Sequence, residues 1–500
     1  MGDKYLVGVD AGGTAVKAAV YDARGNELAV SGGATELVSP SPGHTERDME
    51  EFWRVTAACI NDAIVKSGID PSKIAGAACA GHGKGLYPWG RNGPVMNGII
   101  STDARGRAYA EGWRADGTAA AVFKKTFQSI LVSQPCVLLR WLKDNRRDVY
   151  DGIWRVFEAK DYLRFRLTGK AMGEITDFSG TNLVNLNTRA YDRELLGLYG
   201  IPEIEERLPA LAGSLEECGR VTAEASLATG LPEGIPVSGG MFDIDACAIA
   251  AGIVNEDNIC VIAGTWSINE YISKTPVSDG SVSMNSIYCL PGYYLIEESS
   301  PTSAGNLEWL AKNILSAERD KAAAAGKSVY KVFDEIVEKT KPEECGVLYL
   351  PYIYGSQDDP ADTGCFTGFT VRDNTAQMIR SVYEGVVFNH RRHIDRLMGA
   401  KKAAKAMRLA GGGARSAVWT QMFADVCGMP VETVVANELG TLGCAIAASV
   451  TCGIYKDINA AVGEMVRMGK RYEPEDTGAY AAKYERFLET VKRMKADNPG

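Results

Sequence analysis

Two acids, Asp243 and Asp245, follow a glycine pair, Gly239-Gly240, between a β-rich run (Ile235–Ser238) and a small apolar run that reads as helix up to Gly252. A carboxylate at the mouth of a buried helix either caps it or serves as a base. Asp245 lies two residues on, so a helix points it away from the direction of Asp243. Asp243 is taken as the base, kept ionised by the helix dipole, and it can also cap the helix with one oxygen. Asp245 is expected to stabilise the first turn or to make a minor cleft contact. A third acid, Asp10, ends the apolar strand Tyr5–Val9 and precedes Gly12-Gly13-Thr14.

That glycine turn joins two strands, since Val16–Tyr21 is also β-prone. A dinucleotide fingerprint would need a helix there, and no Walker-type GxxxxGK[ST] occurs. The turn can point backbone N–H groups at phosphate, with Lys17 adding charge and Asp10 holding a metal through water. It can equally be an ordinary hairpin with glycine at positive φ. The same grammar recurs at Asn258–Ala263, Gly264-Thr265 and Trp266–Ser273. A third glycine run, Gly411-Gly412-Gly413, stands between a short strand and a helix, Ala417–Cys427. Three such turns together point to a phosphate or nucleotide ligand more than any one does.

Polar ligand contacts are expected in Gly81-His82-Gly83-Lys84-Gly85, a glycine-rich loop after the strand Lys73–Ala80. Asp103 and Arg105 form an Asp-x-Arg pair that locally reads as a surface ion pair or a polyol-binding pair. His390 and His393 share a helical face with no acid ligand pattern, so no metal is expected there.

The elements that position these residues fit an α/β chain. Arg47–Lys66 is an amphipathic helix, Ile175–Leu186 is polar and β-prone, and Ser316–Lys341 reads as a charged helical surface insertion with an Ala/Gly-rich break at Ala322–Gly326. Five hundred residues exceed one core, so two domains are expected, 1–250 and 251–500. A net charge of -9 argues against nucleic-acid or acidic-membrane partners. The 12 cysteines are scattered without a CxxC pair, and with 4 histidines they suggest reduced thiols in a cytoplasmic protein rather than a metal cluster. No run is long enough to span a membrane. A homodimer is a base-rate expectation.

Taken in order, these motifs resemble the FGGY carbohydrate kinases of the actin-like ATPase superfamily. Val7–Thr14 resembles the first phosphate motif, Val261–Ser267 the second, and Leu409–Arg415 the adenosine motif. Gly364–Phe369, with Gln377-Met378 and Ser381–Glu384, resembles a family signature in spacing and type. The resemblance implies two ribonuclease H-like domains facing each other across a catalytic cleft, with ATP, Mg²⁺ and a small sugar as ligands. It implies Asp243 as catalytic base and substrate contact, and Asp10 near the metal, with Asp243 beside it. It implies Gly12, Gly13, Thr14, Lys17, Gly264, Thr265, Gly305, Gly411, Gly412, Gly413 and Ser416 at ATP. His82, Lys84, Asp103 and Arg105 then fall in the sugar loops, where Asp103 and Arg105 would read vicinal hydroxyls. Gly83–Leu86, Ser101–Asp103, Ser300–Ser303, Gly305–Trp309 and Tyr383–Phe388 resemble the members of the family that act on L-xylulose, which implies a ketopentose of that kind as substrate. The alternatives are D-xylulose, ribulose, erythritol or another polyol, or a non-catalytic sugar or nucleotide sensor.

Overall fold

The structure is a computed structural model, and it describes residues 4–357, 362–401 and 403–497. Tyr354–Asp359 reads from the sequence as a loop after the strand Val347–Pro351, and Asp358 and Asp359 of it lie outside the described residues. The chain forms two compact units that are not simply consecutive: Met1–Val254, Ile272–Ile296 and Ala436–Arg467 make the first, and Asn255–Tyr271, Glu297–Val435 and Met468–Gly500 the second.

In the first unit, β1 (Tyr5–Ala11), β2 (Ala15–Asp22) and β3 (Glu27–Ala34) form an antiparallel meander. On the other side of β1, β4 (Ile74–Gly81) runs parallel, followed outward by β6 (Pro236–Ser238) and β5 (Glu217–Arg220). The short β7 (Met241–Phe242) also pairs with β4, through Met241 with Ala80 and Phe242 with Gly81. Both faces of β1 are covered. Val7, Val9 and Ala11 share a core with Phe52, Trp53, Ile60 and Ile64 of helix α1 (Met49–Ser67). Asp48 caps α1 by accepting from the N–H of Glu51 at 2.7 Å. The opposite face meets the helix Leu439–Thr451 at close range: a Cβ on Gly8 would stand 1.9 Å from the carbonyl oxygen of Thr441.

The second unit repeats the strand grammar. β8 (Asn258–Ala263) pairs antiparallel with β9 (Ser267–Ser273), and β10 (Tyr294–Ser300) lies beyond β9. On the other side β11 (Ala406–Ala410) and β12 (Val431–Val434) run parallel to β8, and β13 (Met468–Tyr472) closes the edge antiparallel. The long helix Thr375–Lys401 and the helix Ala417–Cys427 pack behind this sheet.

Two local expectations change. Ile175–Leu186 opens as a helix, Ile175–Ser179, rather than as strand. The Glu174 carboxylate caps it, accepting from the N–H groups of Thr176 and Asp177. The cap overrides the β-branched composition. Ser316–Lys341 parts into two helices, Ser316–Ala324 and Val329–Lys339, at the expected Ala/Gly-rich break, but the second is more than a surface insertion, since Tyr330, Lys331 and Asp334 line a cavity.

Candidate active site

Asp243 stands at the C-terminal end of the first unit's sheet because the chain crosses β4 through two glycines. A Cβ on Gly240, at φ +76°, would lie 2.0 Å from the carbonyl oxygen of Cys79, so only glycine permits this crossing. β7 then hands directly into the helix Asp243–Ala250. Phe242 occupies the N-cap position and no side chain caps the helix, so Asp243 is its first residue and not its cap. The expectation that the dipole keeps Asp243 ionised is corrected. Burial, reinforced by the charges of Asp10 and Asp177, raises its carboxyl well above the usual range, against Lys84 and the Ile244 N–H. An eight-residue helix supplies too little field to reverse that.

Asp10 rises to about 6, mainly by burial; Lys17 opposes the rise and Glu438 adds to it. Lys17 itself forms a 2.7 Å ion pair with Glu438 and is 46% exposed. Asp245 is fully buried and accepts from the N–H of Cys289 at 3.0 Å, so it fastens the 272–296 segment rather than merely dressing a helix end.

Beside Asp243 lies a buried polar cluster that sequence reasoning missed. Lys160 Nζ sits 3.2 Å from Asp177, 3.4 Å from Glu174 and 3.3 Å from Asp161, and Arg164 holds Asp161 at 2.8 Å. Glu158 is fully buried there, with neither carboxyl oxygen partnered by a described residue. Burial and the neighbouring acids lift Asp177 to about 7 and push Glu158 well up.

His82 is a satisfied interior residue. It is 5% exposed, its Nε2 meets the Tyr87 hydroxyl at 2.8 Å, and burial lowers its pKa to about 3, leaving it neutral. Lys84 adopts φ 64° and sends its ammonium to 5.9 Å from the Phe242 ring centroid. Asp103 and Arg105 are no surface pair, with side chains 0% and 1% exposed. Asp103 Oδ1 accepts from Arg105 N and Nε, both at 2.9 Å, and Oδ2 from Thr45 N at 2.6 Å and Arg105 Nη2 at 2.9 Å. Arg105 also reaches Glu46 at 2.7 Å. With its acceptor positions filled, Asp103 braces the loop and does not present a free edge to a sugar.

The glycine turns share one design. Gly12 and Gly13 are half-buried and Thr14 exposed; Gly264 is half-buried and Thr265 exposed. None of these glycines has positive φ, which rules out the hairpin reading of why they are glycine. Nothing lies within 4 Å of a Cβ built on Gly13. The bare backbone is itself the feature, because it lets a ligand approach the N–H groups.

In the second unit Gly264, Thr265, Gly305, Gly412 and Ser416 line one cavity of about 550 Å³. Ser328, Tyr330, Lys331 and Asp334 of the presumed insertion line it too, with Glu308, Tyr383, Arg415 and Trp419. Tyr330 and Asp334 stand one helical turn apart, a spacing that could have revealed this face. Ser416 caps the helix Ala417–Cys427 through Trp419 N and donates to Asp334 Oδ1 at 2.7 Å. Gly411 and Gly413 do not line the cavity; they let the chain pass Ala263 closely, within 2.8 Å for a Cβ built on either. Below the cavity, the buried His390 takes Ser303 at 2.8 Å on Nε2 and Asn269 at 2.8 Å on Nδ1, so it is a structural link and not a metal ligand.

Paired α/β units with bare phosphate-type turns and a half-buried carboxylate at a sheet end define a phosphotransferase of the actin-like ATPase type. The N-terminal domain model of the FGGY family of carbohydrate kinases matches residues 5–250, and the C-terminal domain model matches 259–452. The chain belongs to this family and is an ATP-dependent sugar kinase. It is 33% identical over 497 residues to the L-xylulose/3-keto-L-gulonate kinase of Escherichia coli (strain K12), covering 98% of this chain and 97% of that one. The probable L-xylulose kinase of Pasteurella multocida (strain Pm70) is 32% identical over 496 residues, with 98% and 99% covered. The crystal structure of xylulose kinase from Rhodospirillum rubrum superposes with a TM-score of 0.85 at 26% identity, covering 99% of each chain.

Proposed function

We propose that the protein transfers the γ-phosphate of ATP to a hydroxyl of a neutral ketopentose of the L-xylulose kind, with Asp243 as general base. The observation that carries this reading is the placement of Asp243 on the first turn of its helix, half-buried and within the electrostatic reach of Asp10, Asp177 and Lys84. An alcohol is a poor nucleophile, and a positioned carboxylate that takes its proton contributes about 10²–10⁴ in rate. The raised carboxyl brings that base closer to the pH at which it works. Nucleotide is held by the second unit's cavity, adenosine against Gly412 and Ser416 and phosphates at Gly264 and Thr265. The turn Gly12–Thr14 and Lys17 take the transferring phosphate, and Lys84 and Asp243 meet the sugar.

Asp10 and Asp243 suit Mg²⁺. They are hard oxygen donors that repel one another, and among the described residues no group of three or more His, Cys, Asp or Glu side chains forms a cage. Magnesium commonly binds through one or two carboxylates and phosphate oxygens, keeping several waters. When bound it neutralises phosphate charge. Asp10 and Asp243 are the residues that would hold it.

Lys160 is already engaged by Asp161, Glu174 and Asp177, and Lys84 acts on Asp243, so neither cation is left over for a carboxylate on the substrate, which favours a neutral ketose over a sugar acid. A coupled ADP-release screen over pentuloses, hexuloses, polyols and 3-keto-L-gulonate tests both statements. L-Xylulose should give the highest kcat/KM, and the keto acid at least tenfold less. Absence of any sugar-stimulated turnover above basal hydrolysis sinks the kinase reading for these substrates.

A further inference from the structure

We propose that Arg47 is the positioning residue of the first glycine turn, holding the carbonyl groups of Gly12 and Gly13 inward so that the N–H groups of Gly13 and Thr14 face phosphate. The inference rests on the kinase reading above.

Arg47 precedes the cap of α1 and sits in the two-residue strand Glu46–Arg47, which pairs with Gly98–Ile99. Its side chain is fully buried. Nη2 donates to the carbonyl oxygen of Gly12 at 3.1 Å and to that of Gly13. In a trans peptide the C=O and the following N–H point to opposite sides. Two successive carbonyls fixed on Arg47 therefore turn the N–H of Gly13 and of Thr14 away from it. Gly12 N–H is already spent on Ala15 O at 2.9 Å, whereas no described residue accepts from Gly13 N or Thr14 N. The turn is thus split into a face tied to the protein and a face left for a ligand.

The charge of Arg47 has no counter-ion among the described residues, and its Nε and Nη1 have no hydrogen-bond partner. The nearest compensation is the Phe52 ring, with the guanidinium carbon 4.3 Å from its centroid. An uncompensated buried cation is costly unless a ligand's charge offsets it. Here it adds positive potential behind the turn where triphosphate charge gathers. Both bonds come from the one nitrogen Nη2, so lysine could supply the charge and the donors but not the planar guanidinium that lies on an aromatic face.

The test uses Arg47→Met and Arg47→Lys in the full chain, with Mg²⁺·ATP and the best sugar from the screen. Arg47→Met should lower kcat by about a hundredfold, the loss typical of disabling preorganised N–H donors. It should raise KM for ATP and leave KM for the sugar unchanged. Arg47→Lys should recover part of the loss. Thermal melts identify any variant that fails to fold, and Arg47→Gln then replaces it. Folded variants with wild-type kcat and ATP KM overturn the inference, as does an equal rise in both KM values. If the wild type turns over no sugar, calorimetry with a non-hydrolysable ATP analogue and with AMP separates the two readings. Loss of the wild type's triphosphate preference in Arg47→Met upholds this inference although the kinase reading has failed, and an unchanged preference overturns it.

Discussion

At the residue scale, the chemistry of the first unit is set by acids that burial makes reluctant to ionise. Asp243 could be singled out in the sequence because two glycines and a small-residue helix frame it. The upward shift of its carboxyl could not, because it comes from burial in the fold and then from Asp10 and Asp177, which stand on distant segments. Replacing Asp243 with Asn should cost at least about a hundredfold in kcat, the lower bound for a general base, while ATP binding persists. Near-normal turnover in that variant would move the base elsewhere. Asp177 gives a pH signature. Its folded-state pKa, raised from 3.8 to about 7, means the folded chain binds a proton that the unfolded chain has released. Stability from this group is therefore present below about pH 4 and is lost as pH rises toward 7. Denaturant midpoints measured from pH 4.5 to 8 should fall with pH in the wild type, and less steeply in Asp177→Asn. Equal slopes would assign the proton to another member of the cluster.

At the element scale, the glycine turns were legible because strand, glycine and strand recur in order, and the structure gives each recurrence the same exposure pattern. His82, Asp103 and Arg105 show the limit of local reading. Glycine neighbours suggested an open loop, yet Tyr87, Thr45 and Glu46, from other elements, fill their hydrogen-bonding positions. The insertion was misjudged for a similar reason, since a charged helix exposes one face and Tyr330 and Asp334 line a cavity with the other. Gly440 offers an element-scale test. Alanine usually stabilises a helix relative to glycine by about 1 kcal/mol. Here its Cβ would come 2.2 Å from Asp10 Oδ2, and the carboxylate must give way. Gly440→Ala should lower kcat with Mg²⁺·ATP at least tenfold while the melting temperature changes by no more than a few degrees. Unchanged turnover would show that Asp10 can shift without consequence.

At the scale of the whole molecule, the two-domain α/β architecture followed from length and from the doubled strand–turn–strand grammar. What periodicity could not show is that the segment 436–467 returns to the first unit, because a helix does not announce its partner sheet. Small residues make the return possible. Gly8 in β1 accepts the approach of Thr441, and Gly443 meets the carbonyl of Ala246, where a Cβ would lie 2.2 Å away. The helix Leu439–Thr451 buries Leu442, Cys444, Ile446 and Ala447, and Cys444 lies 3.1 Å from the Val9 carbonyl. Without it, one face of β1 and β4 is open to water and Tyr21 loses the Thr441 hydroxyl that it meets at 2.7 Å. A chain ending at Val254 should therefore not fold cooperatively, although the N-terminal domain model of the family spans only residues 5–250. Fusing 436–467 to that chain through a flexible linker should restore part of the transition, since the linker raises the local concentration of the missing helix. Circular dichroism melts of both chains decide the matter. A cooperative transition in the unfused chain, close to that of the full-length protein, would show that the first unit does not depend on the returning helix.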